Sequence, residues 1–318
     1  MFKHTPVLLN ETIDILAQAP GCRFVDATLG GGGHAEALLE RRKDAQLIGL
    51  DRDINAIRNA SERLGRFGDR FQAVHSNFSN LANAVRQCGW DSIDGVLMDI
   101  GVSSPQIDDP ARGFSFRFDG PLDMRMNQED KVTAADILNT ASEKELEDIF
   151  RRYGEELKAR RIAKEVVLRR ATAPWKSTSE FAELLERIVG RAHQHGLPPA
   201  TRCFQALRIA VNNELGELES ALEQAVELTS IGGIIAVISF HSLEDRICKS
   251  FFKEQAATCV CPPGLPVCTC HKVQTLEILT KKPIIATEAE IVSNPRAACA
   301  KLRAAAVVNH ITTGGTHQ

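Results

Sequence analysis

Phe24-Val25-Asp26-Ala27-Thr28-Leu29-Gly30-Gly31-Gly32-Gly33-His34 is an apolar run that stops on an acidic residue, crosses four glycines and opens a helical pattern. That order reads as strand, turn and helix, with glycines that let the backbone approach a ligand closely. Successive glycines carry a large entropy cost for a mere connection, so a bound ligand is the better explanation. Gly49-Leu50-Asp51 closes the next apolar run, where a ribose-binding carboxylate is expected. Two cofactors fit. Gly30-x-Gly32-x-x-Ala35 matches the dinucleotide fingerprint, with a pyrophosphate on the helix that opens near His34. The same turn suits S-adenosylmethionine, whose amino-acid end and ribose would pack on the glycines. Asp51 would serve the ribose hydroxyls of either.

Outward from the turn, short apolar runs alternate with amphipathic stretches. Strands are expected at Arg23–Ala27, Gln46–Leu50, Phe71–His75 and Gly95–Met98, and helices at His34–Arg42 and Asp53–Leu64. Such alternation predicts βαβ units and a parallel sheet. Asp26, Asp51 and Asp99 would then lie along its carboxyl edge, where open α/β sheets bind ligands. After the third strand, Phe78 beside Asn77 is placed to wall in an adenine. Asp99, following three apolar residues, faces the site. Phe78 and the Asp99–Gln106 segment favour S-adenosylmethionine over the dinucleotide.

The pattern then turns helical: Ala134–Asn139, Glu143–Arg152, Glu156–Arg170 and Ser179–Ile188, followed by one long helix from about Ala200 to Leu228. Strand character returns at Gly232–Phe240. A helix over Leu243–Glu254, a strand near Gln274–Leu279 and a final apolar run at Ala304–Ile311 complete the chain, with a frayed tail from Thr312 to Gln318. The expected organisation is a sheet domain over 1–110 and 211–318, interrupted by an all-helical insertion over 111–210.

The chain has 318 residues, 43% of them hydrophobic, enough for a sizeable core. Its apolar stretches are too short to cross a bilayer. Asn10, Glu11 and Asp14 interrupt any secretory h-region, so no membrane partner and a cytoplasmic setting are expected. The net charge of −3 decides nothing about nucleic acid. Of the nine cysteines, Cys22, Cys88, Cys203, Cys248 and Cys299 are scattered, as buried thiols in a reducing compartment are.

Longer strings carry a resemblance. They are His4–Glu11, the glycine turn, Asp99–Gln106, Arg112–Phe116, Gly120–Met126, Ala200–Ile209, Phe240–Arg246 and Asn294-Pro295-Arg296. In this order they resemble the bacterial 16S ribosomal RNA cytosine-N4 methyltransferases over nearly the whole chain. Leu197-Pro198-Pro199 and Cys299 depart from the family pattern, away from the cofactor motifs. The resemblance implies a class I S-adenosylmethionine-dependent methyltransferase, a Rossmann-like α/β sheet with a helical insertion. It implies methylation of a cytosine in the decoding region of 16S ribosomal RNA within the small subunit. By motif, it assigns the cofactor to Gly32, Gly33, His34, Asp51, Phe78, Asp99 and Gln106.

Asp99 has two possible roles: accepting the proton of the amine during methyl transfer, or binding cofactor only. His241 reads more simply as a hydrogen-bonded loop histidine than as a base. Asp123 and Arg125 are either a structural pair or RNA contacts. In the insertion, Arg151, Arg152, Arg160 and Arg161, with Lys158, Lys164, Arg169 and Arg170, suit RNA phosphates, or else form a solvated face with Glu–Arg pairs. Cys259, Cys261, Cys268 and Cys270 form two Cys-x-Cys pairs around a proline-rich turn, able to gather four thiolates around zinc. A surface loop of free or redox-sensitive thiols is the plainer expectation there, since Cys-x-Cys is a less usual metal spacing. The alternatives to a methyltransferase are a nicotinamide-dependent oxidoreductase and a ribosome-assembly factor with an occupied but idle pocket.

Overall fold

The computed structural model describes residues 6–190, 199–262 and 267–310. The expected tail, the end of the last apolar run at Ile311, and His4, Thr5, Leu197 and Pro198 lie outside the described residues. Two compact units emerge: residues up to Gly101 together with those from Glu217, and Val102–Gly216.

The first unit is built on strands β1 (Arg23–Asp26), β2 (Gln46–Asp51), β3 (Phe71–His75), β4 (Ile93–Asp99), β5 (Thr229–Ser239), β6 (Leu276–Ile278), β7 (Ile284–Ile285) and β8 (Lys301–Val307). Their order is β3-β2-β1-β4-β5-β8-β6, with β7 also paired to β8. Strands β1 to β5 pair in parallel; β8 runs antiparallel to β5 and to β6. Alternate residues supply two separate cores, as expected of a sheet covered on both faces. Val25, Ile48, Val96 and Val237 face one; Phe24, Leu47, Leu97 and Ile238 face the other. The strand order reverses between β1 and β4. That switch point brings the carboxyl ends of β1, β2 and β4 together, carrying Asp26, Asp51 and Asp99.

The second unit holds helices Ala134–Thr140, Glu143–Arg152, Ala159–Arg170, Thr178–Val189 and Pro199–Asn212. Capping boxes start two of them, Thr133 with Asp136 and Ser142 with Glu145. Its core is its own. Phe181 lies 5.7 Å from Trp175, 5.6 Å from Phe204 and 6.0 Å from Phe150, ring centre to ring centre.

The single helix expected from Ala200 to Leu228 is two helices, Pro199–Asn212 and Glu214–Leu228. Asn213 between them is left-handed at φ +49°, a conformation asparagine tolerates better than most residues. The break follows from tertiary bonding. Asn212 accepts from Met126 N–H at 2.8 Å and donates to Met124 O at 2.8 Å. The unit boundaries accordingly fall at Gly101/Val102 and Gly216/Glu217, where 110/111 and 210/211 were expected. Ile100 N–H still bonds Ile238 O on β5, and Leu218, Ala221, Leu222 and Ala225 belong to the sheet's core. The helix expected from Glu156 starts instead at Ala159; Glu156 lies in the turn before it, its Oε1 accepting from Lys158 N–H at 2.9 Å.

Candidate active site

The glycine turn is shaped by backbone need. Gly30 and Gly32 are left-handed, at φ +50° and +73°. A Cβ on Gly33 would come within 2.3 Å of Pro6 Cγ, while one on Gly31 would meet open space. The helix Gly33–Arg41 starts there. Asp51 holds the turn: its Oδ2 accepts from Gly30 N–H and its Oδ1 from Asp53 N–H, both at 2.8 Å. Burial raises its pKa, against the pull of those two N–H groups.

Asp26 feels the charge of Asp51, and Asp99 that of Asp26. Asp26 is 3% exposed, and Thr28 N–H donates to its Oδ1 at 3.2 Å. Burial, with the charge of Asp51 added, pushes its pKa up to about 7. Asp99 is held through its backbone, whose N–H donates to Thr28 Oγ1 at 2.6 Å. Its Oδ1 is buried with no hydrogen-bond partner among the described residues. Burial, then the charges of Asp26 and Glu244, push its pKa up to about 8. His34 Nε2–H donates to Val7 O at 3.0 Å, and its Nδ1 lies 3.6 Å from Asp99 Oδ2. The His34 side chain is thus engaged by the N-terminal segment and by Asp99.

Phe78 opens a short 3-10 turn after β3 and packs partly against the sheet's core. Asn77 just before it has a buried Oδ1 without a hydrogen-bond partner among the described residues. Gln106 belongs to the helical unit, where it is buried and accepts from Ser103 N–H at 3.0 Å. The geometry therefore assembles Gly32, Gly33, His34, Asp51 and Asp99 along one sheet edge. It adds Asp26, Thr28 and Asn77.

The model of the MraW methylase family matches residues 1–308. The chain belongs to this family. It is 52% identical to the ribosomal RNA small subunit methyltransferase H of Carboxydothermus hydrogenoformans, over 96% of this chain and 97% of that one. Its identity to the protein of the same name from Heliobacterium modesticaldum is 50%, over 96% and 98%. A methyltransferase of Streptococcus mutans in complex with SAH superimposes with a TM-score of 0.45 at 11% identity, over 97% of this chain and 100% of that one, a likeness too loose to speak to the site. Family membership removes the dinucleotide reading: the cofactor of this methylase is S-adenosylmethionine.

Thr28 escaped the sequence reading because a threonine between a strand and a glycine turn carries no distinguishing pattern. Glu244 left a signal, the His241-x-x-Glu244 spacing. The structure shows a capping box there, with fully buried Glu244 accepting from the backbone of Phe240 and His241. His241 is thereby a helix cap. Asp123 and Arg125 form a forked ion pair at 2.8 and 2.7 Å.

The basic residues of the methylase's helical unit divide. Lys158 Nζ donates to Ile188 O, and Arg170 donates to the carbonyls of Leu138 and Ala141, so both tie helix ends. Arg169 stacks 4.0 Å over Trp175. Arg151 pairs with Glu147 at 2.7 Å, and Arg152 lies over Tyr153. Arg160, Arg161 and Lys164 are exposed and make no ion pair among the described residues. No helix among the described residues is long and apolar enough to cross a membrane. Cys259, Cys261, Cys268 and Cys270 converge on one another, away from the carboxylate edge.

Proposed function

We propose that this methylase transfers the methyl group of S-adenosylmethionine to the exocyclic N4 amine of a cytosine in 16S ribosomal RNA, on the small ribosomal subunit in the cytoplasm. The names carried by its relatives support the RNA substrate. The observation that carries the chemistry is the carboxylate edge. Asp26, Asp51 and Asp99 are desolvated together, each with its pKa raised. Such a cluster favours a cationic ligand, and this cofactor carries a sulfonium and an ammonium.

Gly32 and Gly33 leave the backbone open for close approach, and Asp51 has lone pairs remaining for ribose hydroxyls. Phe78 walls the adenine, and the unpartnered Asn77 Oδ1 awaits an N–H donor. His34 holds the N-terminal segment over the turn through Val7. Gln106 is kept as a contact on the family resemblance alone. When bound, S-adenosylmethionine supplies an electrophilic methyl group on sulfur.

The cytosine amine is a poor nucleophile because its lone pair is delocalised into the ring. Asp99 Oδ1, buried and without a partner, accepts a hydrogen bond from that amine and draws its lone pair out of conjugation. As the N–C bond forms, the methyl–sulfur bond would break with its electron pair left on the departing neutral thioether, and Asp99 takes the proton the nitrogen sheds; His34 Nδ1 lies 3.6 Å from its other oxygen. The target base must leave its stack to be reached. On the helical unit, Arg160, Arg161 and Lys164 are among the exposed cations free to meet phosphate.

The direct test incubates the protein with S-adenosylmethionine and small subunits lacking the modification, then digests the RNA for mass spectrometry. N4-methylated cytidine is expected; no methyl group in naked or assembled 16S RNA would sink the proposal. Asp99→Asn tests the proton acceptor separately. Normal methyl transfer with cofactor affinity merely weakened would show that Asp99 binds and does not accept the proton.

A further inference from the structure

The segment between the helix Ser242–Gln255 and β6 has no part in the chemistry above. The helix leaves the carboxyl end of β5, and Thr275 N–H bonds Gln255 O just before β6 begins. Strands β5 and β6 are both antiparallel to β8, so β6 starts at the amino end of the sheet. The cysteine segment therefore lies at the end opposite the carboxylates.

Its four sulfurs converge. Cys268 Sγ is 3.5 Å from Cys259, 3.8 Å from Cys261 and 3.4 Å from Cys270, and Cys270 is 3.8 Å from Cys259. A disulfide would pair sulfurs off at about 2.05 Å, whereas Cys268 has three sulfur neighbours at nearly equal range. Four thiolates around zinc, with Zn–S bonds of about 2.3 Å, stand about 3.8 Å apart along the tetrahedron's edges. The four separations, between 3.4 and 3.8 Å, lie at or a little below that figure, and all four sulfurs fall within 4.8 Å of one another.

Two further observations point to an ion. Val260 N–H donates to Cys270 Sγ and Cys261 N–H to Cys259 Sγ, both at 3.4 Å, the outer hydrogen bonds that metal-bound thiolates accept. Nor does apolar burial hold the segment: Val260 is 57% exposed and Val267 is 69% exposed. Without a core beneath them, four thiols are drawn together by what they bind.

We propose that Cys259, Cys261, Cys268 and Cys270 hold one zinc ion in a closed, four-thiolate site that pins this segment to the sheet. All four coordination positions are filled by protein, which makes the site structural and leaves no open place for a water nucleophile. The zinc fixes the crossing from helix to β6 and takes no part in methyl transfer.

The test uses the full chain, expressed without added zinc, purified untagged under reducing conditions, and analysed for metals by mass spectrometry. About one zinc per chain is expected, falling to about a tenth of that in Cys259→Ser and Cys268→Ser. Circular dichroism confirms that the variants fold. Limited proteolysis should cut the variants between Ala256 and Gln274 about tenfold faster than the wild type. The proposal is overturned if the wild type holds almost no zinc and takes none up when titrated with it. Zinc retained by both serine variants, iron in its place, or isolation of the four cysteines as two disulfides would overturn it equally.

Discussion

The two ends of the sheet unit each gather like groups that repel one another once ionised, but by different means. At the carboxyl end, Asp26, Asp51 and Asp99 are fixed by strands that two apolar cores hold in place. At the amino end, four thiols meet in a segment whose valines are exposed. A ligand of the first end enters a site that already exists, and its binding is offset by little reorganisation. A ligand of the second end makes its own site. The two ends should therefore answer differently when their ligand or their key residue is removed.

The largest effect is expected at the preformed end. Asp99→Asn keeps the shape of the side chain and removes the proton acceptor. Methyl transfer should fall by about 10²–10⁴-fold, the usual range for a positioned acid or base, with cofactor affinity changed far less. Single-turnover rates beside calorimetric titration would separate the two. Because Asp99 must be ionised to act, the rate should rise with pH, and a bound cation should draw its titration below the ligand-free value of about 8.

Next comes the cost of holding carboxylates without a cation. Asp26 has a folded pKa of about 7 against an ordinary 3.8. For an acid whose pKa is raised by folding, the stabilising state is the protonated one. Its contribution is present below about pH 4 and lost as pH rises through 7, and Asp99 extends the loss to about 8. The ligand-free protein should therefore melt at progressively lower temperature from pH 5 to pH 8. Paired acids such as Asp123 and Asp245, with lowered pKa values, lose their contribution only at lower pH, outside this window. Asp26→Asn should flatten the decline and raise stability at pH 8 by about 2–4 kcal/mol. A melting temperature that stays level or climbs over this range would contradict a strained carboxylate edge.

The opposite end should give a smaller, more local answer. Removing zinc with a chelator should open the cysteine segment to protease and lower the melting temperature by only about 2–5 °C. Both cores lie elsewhere. Collapse of the whole sheet on chelation would mean that this end is not a local clip.

How far these ends could be read from sequence depends on what each demands of the residue. A backbone that must turn left-handed requires glycine, so Gly30 and Gly32 announce the site, and strand spacing then places Asp51 and Asp99. Helix starts are equally visible where a capping box marks them, as at Thr133 and Ser142. The break at Asn213 is not visible locally, because it follows from bonds between Asn212 and the distant Met124 and Met126. The spacing of the cysteines told less than their geometry. Two Cys-x-Cys pairs favour a loop of free thiols on spacing alone, and only the sulfur distances point to a shared ion.

The helical unit supplies the converse case, cations without anions, and the smallest expected effect. A run of basic residues looks uniform in sequence, yet Lys158 and Arg170 tie helix ends while Arg160 and Arg161 have no partner among the described residues. The latter, like Lys164, are available to a polyanion. Arg160→Glu combined with Arg161→Glu should weaken binding to small subunits. It should also lower the salt dependence of binding by about one in slope for each phosphate no longer neutralised. Arg151→Ala, which removes a residue already paired with Glu147, should leave both nearly unchanged, since an exposed pair of this kind is worth about 0.3–0.5 kcal/mol. If the double reversal left affinity and slope where they were, the free cations would be a solvated surface, and RNA recognition would have to come from other residues.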